Sequence, residues 1–437
     1  MKRTYIKDLK DHTSKEVSIS GWVDVRRDQG KMVFMDIRDM SGRIQCVVLP
    51  SHIEALEAVK EIRTEWVLSL KGVVNKRPEK NVKASVQNGD IELEITDIEV
   101  LSKAQDVPFE RETDVNLDTY LDYLPFTLRS ERAQNIFKVQ ETIIQAFREA
   151  LKNEEFTEFQ APAIVGGDAE GGAMAFKVEY YYDKTAFLAT SPQFYKQIMA
   201  GVYERVFTTP KIFRGEKHAT TRHLSELTQM DFEMAFINDE NDVMQVLEKV
   251  TKHMVKKVME LHGDVFTKFN TQTPLVPDKF PVLTLREAQK TLGVKEEPDL
   301  SPEDERNICE WAKREHSSDF VFITRFPTAV RAFYTYEDPS EVPYSRGFDL
   351  LFRGLEINSG SQRIHDYDTM IKKMKEKSLD PEKFSFYLQT FKYGMPPHGG
   401  CSTGLERMTA RMLELANVKE AALFPRDLNR IDNRLSQ

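Results

Sequence analysis

Residues 203–237 constrain the fold more than any other stretch. Two apolar, strand-like runs, YERVFTTPKIF and LTQMDFEMAFI, enclose FRGEKHATTRH, Phe213 to His223, with its two arginines, glutamate, lysine and two histidines. Residues two apart in a strand share a face. Arg214 and Glu216 therefore point one way. Gln229, Asp231 and Glu233 share one face of the returning strand, and Met230, Phe232 and Met234 take the other. Paired, the two strands give a sheet with an apolar side and a charged floor. Such a floor is either a wet surface or an anion site. Polar residues recur in three further segments, which favours a site. ATSPQFYKQIM puts Gln193 and Lys196 at a helix start; FDLLFRGLEINSGSQRIHD holds Asp349, Glu356, Ser359 and Arg363; GGCSTGLERM reads as a glycine-rich turn feeding a helix from near Gly404 that carries Arg407. Asp349 and Glu356 are seven apart, so sharing a face requires a bulge or bend near Gly354.

A chain of 437 residues is long enough for two or three domains. Hydrophobic residues make up 40% and charged residues 30%, as in ordinary globular proteins. Neither a membrane-length apolar run nor a signal peptide is visible. Cys46, Cys309 and Cys401 lie far apart, which argues against disulfides or zinc and fits a reducing cytoplasm. Residues 1–102 carry 17 Lys+Arg and 17 Asp+Glu, so the net charge of −9 resides in the remainder. A neutral small domain leaves a nucleic-acid partner open.

In that small domain, short alternating bursts within 16–49, then EWVLSLKGVV and IELEITDIEVL, give five strands with a helix, HIEALEAVKEI, after the third. This pattern predicts an OB-type barrel over 1–102, a common oligonucleotide binder. A polar, irregular hinge spans 103–130. The domain over 131–437 is expected to be α+β, an antiparallel sheet flanked by helices. Ile136, Ile143, Phe147 and Leu151 mark its first helix. Val243, Val246, Leu247, Val250, Met254 and Leu261 mark another, from about Asp239 to His262, with Gly263 as a stop. A mostly helical insertion falls at about 282–316.

The ordered segments resemble the three signature motifs of class II aminoacyl-tRNA synthetases. EEFTEFQAPAI with Pro162 matches motif 1, FRGEKHATTRHLSELTQMDFEMAF motif 2 and GGCSTGLERM motif 3. With the OB-like domain they resemble the aspartyl/asparaginyl/lysyl subgroup. SPQFYKQ, EINSGSQRIHD and PPHGG are similar to compact archaeal and eukaryotic aspartyl-tRNA synthetases. The resemblance covers essentially the whole chain. It implies ATP, L-aspartate and tRNA as substrates, Mg²⁺ as cofactor, and a homodimer joined through the motif 1 helix and the strand around Pro162. Arg214 is then expected on the α-phosphate and the aspartate carboxylate, Glu216 on the adenine amino group, Arg222, His223 and Leu224 around the triphosphate, and Lys217 to Thr221 on the tRNA acceptor end. Arg407 covers the adenine, framed by Gly404, Leu405 and Glu406, and Glu356, Ser359 and Asp349 hold Mg²⁺. Arg214, Arg407 and Glu356 carry the catalysis. Glu170, from a mobile loop, takes the substrate α-amino group, and Gln193 and Asp231 complete the amino-acid pocket.

A carboxylate substrate needs cations, because an unpaired buried charge costs several kcal/mol. Lys196 and the bidentate fork of Arg363 are therefore assigned to the aspartate side chain, with Asp231 anchoring Lys196. In the barrel, Phe34 stands between the inward Val33 and Met35 and so faces out. The resemblance implies that Phe34 and Gln45 stack on and bond an anticodon base. Arg26 and Arg27 are candidates for phosphates, and Glu92 for a base edge. An asparagine–tRNA ligase and a non-catalytic RNA-binding paralogue remain alternatives, and the choice between tRNA-Asp alone and tRNA-Asp with tRNA-Asn stays open.

Overall fold

The computed structural model of the protein describes residues 2–84, 86–167, 174–217 and 220–435. Two compact units, Met1–Thr113 and Asp114–Gln437, each enclose their own core. In the first, β1 (Glu16–Gln29), β2 (Met32–Asp39), β3 (Gly42–Val48), β4 (Val67–Lys76) and β5 (Ile91–Ser102) close a barrel in the order β1-β2-β3-β5-β4, with α1 (Ile53–Val59) after β3. Val33, Met35 and Ile37 of β2 and Ile44, Cys46 and Val48 of β3 fill the interior. Phe34 has the opposite parity and stays outside that cluster.

The second unit opens with two short helices, α2 (Leu117–Asp122) and α3 (Leu124–Thr127), in the segment the sequence reads as irregular. In α4 (Glu131–Asn153) the Ser130 side chain caps the Ala133 N–H, and Ile136, Ile143, Phe147 and Leu151 are buried. Then come β6 (Thr157–Glu158), β7 (Ile164–Val165), β8 (Lys177–Tyr180), β9 (Lys184–Leu188), α5 (Gln193–Tyr203), β10 (Arg205–Thr208), β11 (Lys211–Phe213), β12 (Glu226–Ala235) and α6 (Glu240–Lys268). Gly263 does not end α6. The backbone departs from helical angles at His262, and the helix runs on to Lys268. The physical reason is burial: Val265 and Phe266 reach the core, which outweighs the ~1 kcal/mol helix penalty of glycine. Leu261, expected on the buried stripe, is 65% exposed beside that kink.

The chain continues through β13 (Val282–Thr284), α7 (Leu285–Leu292), α8 (Pro302–His316), β14 (Phe320–Thr324), β15 (Gly347–Phe352), β16 (Leu355–Arg363), α9 (Tyr367–Glu376), α10 (Ser385–Lys392), β17 (His398–Gly404) and α11 (Leu405–Met412). Among the described residues nine strands form the main sheet, in the order β13-β14-β15-β16-β17-β12-β10-β6, with β11 also paired to β12. Its interior is antiparallel, as expected, but the edge pairs β13/β14 and β10/β6 are parallel. The insertion explains the first: α7 and α8 form the crossover that a parallel pair requires. The helices α4, α6 and α11 cover one face of the sheet in a single core that includes Met230, Phe232, Met234 and Cys401. The other face is polar over β12, β17 and β16 and apolar to either side, where Val321, Ile323 and Leu351 pack under α7 and α8 and Val206 clusters with Ala200 of α5 and Leu388 of α10.

Candidate active site

Alternation along β12 builds the floor. Gln229, Asp231 and Glu233 are buried on the polar face, opposite the core residues of the same strand. Next to it lies β17, in register Asp231↔Ser402 and Glu233↔Gly400, and beyond that β16, in register Ser359↔Ser402 and Arg363↔His398. The glycine-rich stretch is thus a central strand and not the turn expected from sequence; α11 starts only at Leu405. Gly399 and Gly400 serve close approach. A Cβ on Gly400 would lie 2.1 Å from Glu233 Oε2 and 2.2 Å from the Phe232 carbonyl.

Four charges meet on this floor. Lys196, one turn into α5 and 1% exposed, donates to Asp231 Oδ2 at 3.0 Å and to the Cys401 carbonyl at 3.1 Å, and stands 3.4 Å from Glu233 Oε2. Ser402 donates to Asp231 Oδ1 at 2.7 Å. Arg363 Nε donates to Glu233 Oε1 at 2.9 Å and Nη2 to Oε2 at 3.3 Å, with further bonds to Ser361 and the Gly400 carbonyl. The fork assigned to aspartate is therefore closed on Glu233, and four of the five N–H groups of Arg363 are engaged. Burial opposes ionisation of Glu233, but Arg363 and Lys196 outweigh it and hold the carboxyl below its ordinary value.

Above the floor opens a cavity of about 500 Å³. Its lining brings together Gln193, Lys196, Arg214, Glu216, Arg222, His223, Leu224, Glu356, Ser359, Arg363, Gly404, Glu406 and Arg407. Leu405 and Asp231 do not join them: Leu405 packs into the core, and Asp231, expected in the amino-acid pocket, stays buried beneath it, taken up by Lys196 and Ser402. Glu406 accepts the Thr228 N–H with both oxygens, each at 3.0 Å, which ties α11 to β12. Glu170 lies outside the described residues, as do His218 and Ala219 of the motif 2 tip.

The bend required between Asp349 and Glu356 comes in two parts. Arg353 and Gly354 turn at positive φ, and the register of β15 with β16 shifts between Leu350 and Leu351. The shift leaves Ile357 as the extra residue, facing the core, and returns Glu356 to the side of Ser359. Burial and the neighbouring Asp349 charge push the Glu356 carboxyl up to about 7, against the pull of Arg407, while 37% side-chain exposure to the cavity softens the burial effect. Arg407 Nη1 donates to the Glu356 carbonyl at 3.0 Å. Asp349 is held off the cavity lining, because Arg331 grips it at 2.8 and 3.1 Å and also donates to Ser359 at 3.2 Å. Glu305, from α8, pairs with Arg222 and accepts the Glu356 N–H at 3.3 Å.

Sequence reasoning missed Glu233 as a partner, Arg331 and Glu305. Alternation had already put Glu233 on the floor; Arg331 and Glu305 carried no local signal. Gln197 was also missed, although it falls one turn after Gln193.

On the barrel, Phe34 stands in register with Arg27 and Val47, and Asp36 with Gln45. Arg27 bonds Asp36 at 3.1 Å and Gln45 bonds Glu92 at 3.4 Å, so these residues share the outer face. Arg26 is corrected: the alternation turns it away from that face, onto the Val59 carbonyl at 3.2 Å and Asp28 at 2.9 Å.

Comparison with known proteins agrees with this geometry. A family of class II tRNA synthetases (D, K and N) matches residues 116–428, and an OB-fold nucleic acid binding domain matches 17–101. The chain is similar to the aspartate–tRNA(Asp/Asn) ligase of Thermus thermophilus, at 43% identity over 98% of this chain and 99% of that one. It is similar to the aspartate–tRNA(Asp) ligase of Pyrococcus furiosus, at 37% over 95% and 96%. Among solved structures it resembles asparaginyl-tRNA synthetase from Pyrococcus horikoshii complexed with asparaginyl-adenylate (TM-score 0.91, 31% identity, 99% of each chain). It also resembles aspartyl-tRNA synthetase from Entamoeba histolytica (TM-score 0.87, 29% identity, 99% of this chain and 93% of that one). A motif 2 hairpin over a charged floor, a motif 3 strand feeding an arginine-bearing helix, and a separate OB barrel lie in one continuous match, and the chain belongs to the class II tRNA synthetases of the aspartate, lysine and asparagine group.

Proposed function

We propose that the protein is an aspartate–tRNA ligase. The observation that carries the substrate choice is the pair Lys196 and Arg363 under the amino-acid end of the cavity, balanced by Asp231 and Glu233. Lys196 and Arg363 reach the cavity while Asp231 and Glu233 stay buried beneath them, so the floor offers cationic charge to a substrate side-chain carboxylate. The 3.4 Å approach of Lys196 to Glu233 is the longest of its contacts and the one such a carboxylate displaces. An amide side chain would bring no charge to answer it.

In the first step an aspartate α-carboxylate oxygen attacks the α-phosphorus of ATP, the bond to the β-phosphate oxygen breaks, and pyrophosphate leaves. Arg214 stabilises the charge on the α-phosphate, Glu216 accepts from the adenine amino group, and Arg407 lies over the base. Orientation and fixed charge carry the rate, with no side-chain nucleophile. Arg222 leaves Glu305 for the triphosphate. Glu356 and Ser359, oxygen donors on the cavity wall, would hold Mg²⁺, and Asp349 would join them only on release from Arg331; the ion would neutralise phosphate charge. In the second step the terminal ribose hydroxyl of tRNA attacks the aspartyl carbonyl and AMP leaves.

The outer face of the barrel, with Phe34 and Gln45, reads the anticodon. The protein acts as a homodimer through α4 and the segment around Pro162, which runs between β6 and β7, and a monomer in sedimentation at micromolar concentration would refute that. Ile164 on β7, Tyr180 on β8, and Tyr181 and Tyr182 in the turn that leads to β9 are exposed and supply apolar surface for a second copy to cover. Pyrophosphate exchange with aspartate against asparagine, followed by charging of purified tRNA-Asp and tRNA-Asn, tests the assignment. A preference for asparagine would overturn it.

A further inference from the structure

Behind the amino-acid end of the cavity, four buried side chains form one hydrogen-bonded chain. His398 Nδ1 meets the Pro396 carbonyl at 2.9 Å, and His398 Nε2 meets Gln197 Nε2 at 2.8 Å. Gln197 Oε1 accepts from Gln193 Nε2 at 2.9 Å and from the Tyr387 hydroxyl at 3.0 Å. Gln193 is 3% exposed, Gln197 0%, Tyr387 2% and His398 0%, and of the four only Gln193 reaches the cavity.

The polarity of this chain is set at its far end. A carbonyl only accepts, so His398 carries its proton on Nδ1; in the neutral ring Nε2 then only accepts. Burial draws His398 down to about 4, which keeps the ring neutral near physiological pH. The amide NH₂ of Gln197 must therefore face the ring and its oxygen must face Gln193. That draws back the NH₂ of Gln193. Its Oε1, with no hydrogen bond among the described residues, is presented to the cavity.

We propose that Gln197 and His398 are positioning residues of the amino-acid site: they fix Gln193 as a hydrogen-bond acceptor, so that it takes the substrate α-ammonium. This rests on the reading of the cavity as an amino-acid-activating site. The reversed chain would aim an NH₂ at that ammonium, donor against donor.

The test is tRNA-free pyrophosphate exchange by the full chain. No aspartate-dependent exchange by the wild type would overturn the functional reading itself. With the wild type active, Gln197→Met is expected to raise KM for aspartate about tenfold, the scale of a weakened hydrogen bond to a charged group, and to leave KM for ATP within about twofold. Gln193→Met should raise it similarly, and the double variant no further, because both remove one interaction. Additive rises, or equal rises for ATP, overturn the inference. Should the methionine variant not fold, the ¹⁵N shifts of the His398 ring in the wild type decide: the Nδ1–H tautomer supports the inference and the Nε2–H tautomer overturns it.

Discussion

Replacing Lys196 by methionine separates what the ammonium does for the fold from what it does for the substrate. Lys196 is 1% exposed, donates hydrogen bonds to Asp231 and the Cys401 carbonyl, and pairs with Glu233 at 3.4 Å. Methionine fills a similar volume but leaves Asp231 with Ser402 as its one remaining side-chain donor among the described residues. Breaking a buried pair from one side costs about 3–5 kcal/mol, so Lys196→Met is expected to lose stability on that scale in denaturant titration. Glu233 keeps its fork with Arg363, which holds the loss nearer the lower end. Lys196→Met/Asp231→Asn removes both charges and should recover part of that stability. Activity should not return with it. A charge-assisted bond of about 3 kcal/mol to the substrate carboxylate corresponds to at least ~100-fold in kcat/KM for aspartate, with KM for ATP little changed. Exchange measured at a temperature where each variant is folded tests both claims. The reasoning is wrong if Lys196→Met retains aspartate activation within about threefold, a change too small for a lost charged contact.

Phe34→Ala is expected to raise KM for tRNA about tenfold, the scale of a lost base stack, while tRNA-free exchange stays unchanged. An equal loss in exchange would show that Phe34 serves only packing. The Glu356 carboxyl, raised from the ordinary 4.5 to about 7, binds protons more tightly folded than unfolded. Its contribution therefore favours the fold below the lower value and is lost as pH rises through the upper one. Glu356→Gln should flatten thermal stability against pH across that window, and an unchanged slope would count against the raised carboxyl. Gly400→Ala drives a Cβ to 2.1 Å from Glu233 Oε2 and 2.2 Å from the Phe232 carbonyl. The collision should cost about 1–3 kcal/mol and loosen the Glu233–Arg363 fork, and wild-type stability with unaltered aspartate KM would contradict the close approach.

Much was legible in the sequence because it is written in local periods. Alternation along β12 separated Asp231 and Glu233 from Met230, Phe232 and Met234, and the same period turned Phe34 out of the barrel between Val33 and Met35. The strand count, the helix after β3 and the amphipathic α4 follow from the same short-range physics. Tertiary structure alone decided the partners. Strand order sets β17 between β12 and β16, and only that arrangement lets Arg363 close its fork on Glu233, 130 residues away in sequence, and lets Gln197 meet His398 across 201 residues. It also brings Arg331 to Asp349 and Glu305 to Arg222. The period of a strand fixes which face a side chain takes. Which charge answers it there depends on neighbours that long-range pairing supplies, and a buried ion settles on whichever partner compensates its desolvation.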